Sequence, residues 1–413
     1  MPDDGKGVIT VGDVLRRILL ASKIWCSFVV LVAATPAVSE PKPDRYPTIG
    51  AGYVPTDPDE RGLWMQFEAV ERAMKTSDAL VRDQALDRYV RGVLCRTVSE
   101  AACSSLRLYI VRNPSFNASM AANGMVTVHT GALLRMRNEA QLAAVLGHEF
   151  THFARRHSLQ TLRDTRSKTG RLAMLSAIPV SNRGSAVAIE VARLLTVGSQ
   201  YSFSRDMERE ADAGSIPLMV SAGYDPALAA STWQALINEE EAALIARRRR
   251  IRWRENGFYA THPSRPERIA TLTSLARPFA ARAFPDNGAE AHRAAMRPWW
   301  PRLVDEQIKL NDFGGSDWLL RELAADGWTP DLLYARGELY RTRGRREDLG
   351  RAAAFYRQAL TGDAPVEAWR GLGLVLLRSG DAAAGQGALK TYLERKADAT
   401  DRAMIAMLAG QAQ

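Results

Sequence analysis

NEAQLAAVLGHEFTHFARRH, residues 138–157, is the stretch on which the reading of the whole chain turns. Asn138 followed by Gln141 has the pattern of a capping box, and the residues after it predict a long helix from Glu139 to about Thr165. On that helix His148 and His152 stand one turn apart, about 40° around the axis, so both imidazoles can reach one metal ion. Glu149 falls beside them, where its carboxylate can take a proton from an attacking water. Six histidines in 413 residues give fewer than about 0.01 chance matches to His-Glu-x-x-His. The plain alternative is a helix that packs two histidines.

A catalytic zinc keeps three protein ligands and one open position, so a third ligand must come from elsewhere. The metzincin continuation would place Gly and His where this chain has Arg155 and Ser158, and His157 is one residue out of register, so His157 reads as structural. Downstream, Glu208-Arg209-Glu210-Ala211-Asp212 sits on a second predicted helix. Glu208 can ligate there, and Asp212, one turn later, can orient a ligand histidine. Taken alone, an acidic helix face is usually solvated.

His148 to His152 together with Ser204 to Asp212 resemble the gluzincin peptidases that include the CAAX prenyl endopeptidase and the HtpX heat-shock protease, over roughly Ala101 to Leu275. The resemblance implies a zincin-type fold, one Zn2+ per chain on His148, His152 and Glu208, Glu149 as general base, and Asp212 behind a ligand; Glu210 is then not a ligand. The family's edge-strand element matches Asn117-Ala118, which implies that these residues hold substrate backbone by strand addition. Its late His-Pro element matches His262-Pro263 with Arg268 six residues on, which implies that His262 or Arg268 stabilises an oxyanion. Read without the family, Asn117 is a turn residue and His262 a surface-loop histidine.

Over the whole chain, the length predicts two or three folded units, and 46% hydrophobic with 24% charged residues is ordinary for globular chains. A net charge of +9 favours anionic surfaces, a membrane surface included. The densest basic cluster, Arg247 to Arg250 with Arg252, Trp253 and Arg254, comes without any nucleic-acid-binding signature and reads as a solvated helix face, so no nucleic-acid partner is expected. Arg16, Arg17 and Lys23, the apolar run Ile24 to Ala34 and small residues around Ala37 and Ser39 have the layout of an export signal. That run is shorter than the roughly 20 residues a span needs, so a cleaved signal and a periplasmic protein are expected. Cys26 lies in the run, whereas Cys95 and Cys103, eight positions apart, can close a small disulfide loop in an oxidising compartment. Two buried free thiols are the alternative.

Two helices are predicted between Leu63 and Val98, and strands at Leu106 to Ile110 and, after the Asn123-Gly124 turn, at Met125 to Thr130. Leu172 to Val197 is apolar but broken by Pro179, Arg183 and Glu190, as packed helices or a lid would be. Arg277 to Trp300 is rich in Ala, Arg and Pro and marks a boundary. Beyond it Gly337, Tyr340 and Leu333 are echoed by Gly373, Leu376 and Trp369 at a period of 36, which looks like tetratricopeptide repeats. Two repeats do not bury a core alone, so Leu303 to Leu323 should add a capping pair, or the array should dock on the preceding domain.

The expected fold is α+β, mainly α: a signal peptide at 1–39, a zincin-type metalloprotease domain with a small sheet at 40–280, a linker at 281–300, and tetratricopeptide-like helices at 301–413. This order of parts is most similar to periplasmic family members in outer-membrane protein quality control. It implies polypeptide substrates, misfolded or stalled outer-membrane proteins among them, and an assembly-machinery partner on the repeats. The alternative is a chaperone or binding module in which proteolysis is minor.

Overall fold

The computed structural model describes residues 49–50, 52–169, 203–248 and 265–411. The expected signal peptide 1–39, the apolar stretch 172–197, the basic residues from 249 to 254, and His262 with Pro263 lie outside them. Helix α1 (Pro58–Lys75) starts where the Asp57 carboxylate accepts the Asp59 and Glu60 N–H groups, with a proline in its first turn, and buries Leu63, Phe67, Val70 and Met74 along one face. Helix α2 (Gln84–Val98) and the single turn α3 (Glu100–Cys103) follow. Cys95 and Cys103 stand at disulfide-bonding distance, their Cα atoms 5.0 Å apart.

Strands β1 (Arg107–Val111), β2 (Ala118–Met120) and β3 (Met125–His129) form one sheet in the order β1-β3-β2, with β1 parallel and β2 antiparallel to β3. Gly124, at φ +83°, makes the turn between β2 and β3, and a Cβ there would lie 2.8 Å from the Ser105 carbonyl oxygen. The hydrogen bonds of the β2–β3 ladder fall on Asn117 with His129 and Ala121 with Met125. The alternation therefore leaves the backbone groups of Ala118 and Met120 on the outer edge of the sheet.

The chain continues through α4 (Thr130–Arg135), α5 (Glu139–Ala154), α6 (His157–Thr169), α7 (Arg205–Ser221), α8 (Leu228–Ala246) and α9 (Arg265–Ala276), of which α5 packs against β2. The cap of α5 differs slightly from a capping box. Asn138 Oδ1 accepts the Gln141 N–H as expected, but Gln141 Oε1 accepts the N–H of Arg137, one residue earlier. The expected single helix to Thr165 is two helices, because Arg156 takes a left-handed φ of +53° between α5 and α6. Helix α5 is buried nearly all round and crosses α7 closely at Gly147 and Gly214; a Cβ on Gly214 would lie 2.5 Å from Thr151 Cγ2.

The stretch 281–300, read from sequence as a linker, is built into this body. Helix α10 (Ala289–Met296) buries His292 and Met296, His292 Nδ1 lies 2.8 Å from the Tyr89 hydroxyl, and the Asn287 carbonyl accepts the Ala140 N–H at the start of α5. Met296 joins the main core and Trp299 and Trp300 pack against it, contacts that a composition rich in Ala, Arg and Pro does not reveal. Helices α11 (Trp300–Lys309) and α12 (Phe313–Leu323) continue the chain, and α12 seats Gly314 on α8, where a Cβ would meet the Ala242 carbonyl oxygen at 2.1 Å.

Two helix pairs follow, α13 (Pro330–Arg343) with α14 (Arg346–Ala359) and α15 (Glu367–Ser379) with α16 (Ala382–Arg395), then α17 (Arg402–Leu408). Gly344 and Gly380, 36 positions apart, end the first helix of each pair in the left-handed conformation. Gly337 packs under the Tyr356 ring and Gly373 under Leu389. One hydrophobic cluster runs from Ile49 through both parts to Ala388. Among the described residues no helix is long and apolar enough to cross a membrane.

Candidate metal centre

His148 and His152 leave α5 on the face turned to α7, which returns Glu208 from its first turn. The two Nε2 atoms are 3.0 Å apart, and the Glu208 carboxylate lies 3.4 Å from His148 Nε2 and 3.5 Å from His152 Nε2. A tetrahedral ion with bonds of 2.0–2.1 Å needs ligand atoms about 3.3 Å apart, so these buried donors fit a zinc-sized ion. The local field also favours a cation. Burial and Arg268 oppose a charge on His148, yet Asp212 and Glu208 pull its pKa up to about 9.

Glu149 points from the next position of α5 toward the sheet, and its carboxylate accepts the Met120 N–H on the outer edge of β2. Burial pushes this carboxyl up to about 7, with Glu208 adding to the effect and His148 opposing it. A carboxylate tuned there is suited to take and return protons near neutral pH. Behind the ligands, Asp212 Oδ1 lies 2.9 Å from His148 Nδ1, and Arg268 of α9 donates from Nε to both Asp212 oxygens at 2.9 and 3.0 Å and from Nη2 at 2.7 Å.

Residues 83–276 match the sequence profile of Peptidase family M48. The chain carries a peptidase family M48 domain. Among similar proteins, the mitochondrial metalloendopeptidase OMA1 of Schizosaccharomyces pombe is 33% identical over 186 residues, 45% of this chain and 51% of the relative. The putative beta-barrel assembly-enhancing protease of Vibrio cholerae is 26% identical over 198 residues, 46% of this chain and 40% of the relative. The beta-barrel assembly-enhancing protease of Escherichia coli is 24% identical over 212 residues, 50% and 42% respectively. The chain thus spans about half the length of these curated relatives or less.

Within this M48 domain the structure brings together most of the residues singled out from sequence. His148, His152 and Glu208 converge, Glu149 lies beside them, and Asp212 backs His148. Asn117 precedes β2 and gives its carbonyl to the His129 N–H, while Ala118 opens the strand with its own backbone groups on the outer edge. Arg268 is buried beside Asp212 with its guanidinium 3.8 Å above the Trp233 ring and its Nη2 2.7 Å from His148 Nδ1 and 3.2 Å from His148 Nε2, so it touches a ligand ring directly. His262 lies outside the described residues.

Two further residues of the M48 site did not stand out in the sequence. Trp233 on α8 supports Arg268 and meets Phe116 edge-on, and Phe203 stacks on the His152 ring at 4.1 Å. Both come from distant segments, and no spacing pattern marks them. His157 is fully buried, with Nδ1 2.8 Å from His152 Nδ1 and Nε2 3.4 Å from Glu210 Oε2. Burial pushes His157 down to about 4 against the pull of Glu210, which keeps the ring neutral.

Proposed function

We propose that the chain is a zinc-dependent endopeptidase of the cell envelope that cleaves misfolded or stalled outer-membrane proteins. The observation that carries the reading is one buried cluster: three donors spaced for a tetrahedral ion, with a raised carboxylate held against the outer edge of β2. Bound zinc would supply a Lewis acid that polarises the scissile carbonyl and lowers the pKa of the attacking water. His148, His152 and Glu208 would hold it. Glu149 would take the water's proton and deliver it to the leaving amine. Ala118 would pair its outward N–H and C=O with an extended substrate strand, with Asn117 at the head of that edge, laying the scissile bond beside Glu149. If His262 reaches the site, its role would be on the oxyanion.

The envelope setting is supported by the export-signal layout of residues 1–39, by Cys95 and Cys103, and by the names of the bacterial relatives. The helix pairs after Pro330 keep the 36-residue period in their capping glycines and are read as tetratricopeptide-like repeats that present clients or dock on assembly machinery. The same repeats favour a second reading, a binding module with minor proteolysis. The test is digestion of casein and of an unfolded outer-membrane β-barrel protein by the purified chain, beside complementation of a deletion strain by Glu149→Gln. Chelator-sensitive cleavage of the unfolded β-barrel and failed complementation are expected. Inactivity with zinc bound, or full complementation by Glu149→Gln, would count against the peptidase reading and for the binding one.

A further inference from the structure

We propose that His157 is a positioning residue that sets the tautomer of His152: its Nδ1 accepts the His152 Nδ1–H while its Nε2–H faces Glu210. The inference rests on the metal-centre reading above. A neutral imidazole has one N–H and one lone pair, so the 2.8 Å contact between the two Nδ1 atoms holds a single proton. Were that proton on His157, His152 Nδ1 would be the acceptor and its Nε2 would carry hydrogen, leaving no lone pair for an ion. With the proton on His152, its Nε2 lone pair turns toward His148 and Glu208, and His157 is left with an Nε2–H 3.4 Å from Glu210 Oε2.

The two ligand imidazoles are thus backed by two carboxylates of one helix in different ways. Asp212, one turn after Glu208, reaches His148 directly. Glu210, two residues after Glu208, lies about 200° round the helix and reaches His152 only through His157. The ring of His152 is also fixed on its face by Phe203, stacked 17° from parallel.

Local backbone makes the arrangement. On an unbroken helix a residue five positions after His152 would point about 140° away from it. The left-handed φ of Arg156 turns the chain so that His157 comes back under His152. Arg156 in turn is held by an ion pair from Nη1 to Glu60 at 3.0 Å and a hydrogen bond from Nη2 to the Tyr53 hydroxyl at 3.1 Å. The segment preceding α1 and the first turn of α1 therefore brace the turn that places His157.

The test measures zinc affinity of the full chain by chelator competition, with urea unfolding of the zinc-free protein alongside. His157→Met and His157→Gln have similar bulk, but only Gln offers a carbonyl oxygen to the His152 N–H. We expect His157→Met to weaken zinc binding 10–100-fold, the usual effect of losing such a partner, His157→Gln to recover most of that loss at equal zinc-free stability, and Glu210→Gln to give a several-fold loss from a partly exposed position. Met and Gln variants with the same zinc affinity, or a Glu210→Gln variant within twofold of wild type, would overturn the positioning role. Wild-type protein that binds no zinc, or whose affinity Glu208→Ala leaves unchanged, would overturn the metal centre and the inference with it.

Discussion

Replacing Asp212 by Asn keeps the shape of the side chain and an oxygen for His148 but removes the charge that faces Arg268. Both partners are nearly inaccessible, Asp212 at 3% and Arg268 at 2%. Burial works against a charge on Asp212, and Arg268 with His148 nevertheless holds its carboxyl below the usual range. In the variant an amide N–H would confront the Arg268 Nε–H, and the guanidinium would keep its charge without a counterion. Breaking a buried pair in this way costs about 3–5 kcal/mol, and loss of a carboxylate behind a ligand histidine lowers metal affinity about 10–100-fold. Urea unfolding of the zinc-free protein and chelator competition read the two effects separately. Adding Arg268→Met removes the unmatched charge, so the double variant should regain much of the stability while zinc binding stays weak. A single variant with wild-type stability and zinc affinity within twofold, or a double variant no more stable than the single, would refute this reasoning.

Two further expectations concern the frame of the site. Burial opposes the charge on Glu71, yet hydrogen bonds from Arg107 at 2.6 and 2.7 Å and from Tyr109 at 2.7 Å hold it at about 2. A carboxyl lowered on folding contributes stability above its unfolded pKa and loses it as pH falls through the folded value, so urea midpoints should drop between about pH 4.5 and 2, and Glu71→Gln should cost about 3 kcal/mol at pH 7 and flatten that limb. Gly214→Ala should force α7 off α5, costing about 1–3 kcal/mol by overpacking and weakening zinc binding, whereas Gly147→Ala, whose Cβ meets Ser215 Cα at 3.4 Å, should be milder in both thermal melts and chelator competition.

How much could be read from sequence depends on how local each signal is. His148, Glu149 and His152 are legible because a single helical turn relates them, and Asn123-Gly124 because a tight turn needs a residue tolerant of positive φ. Glu208 and Asp212 needed the family likeness, since an acidic helix carries no mark of the partner that it meets. From residues alone β2 is three residues long and shows no alternation, and only the likeness drew attention to Asn117 and Ala118. His157 reads as structural because it misses the metzincin spacing by one residue, and its place under His152 is hidden because the left-handed residue before it is an arginine held by Glu60 and Tyr53 from far earlier in the chain. Residues 281–300 look like a linker because a run rich in Ala, Arg and Pro does not reveal that Met296 is buried in the core, that His292 meets Tyr89 and the Leu133 carbonyl, or that Asn287 accepts the N–H groups of Ala140 and Asp225.

The most direct measurement is zinc stoichiometry together with cleavage of an unfolded protein substrate by wild type, Glu208→Ala and Glu149→Gln. The account predicts one tightly bound zinc per chain and chelator-sensitive cleavage in wild type, loss of both in Glu208→Ala, and retained zinc without cleavage in Glu149→Gln. Undiminished zinc binding in Glu208→Ala, or wild-type cleavage by Glu149→Gln, would contradict it.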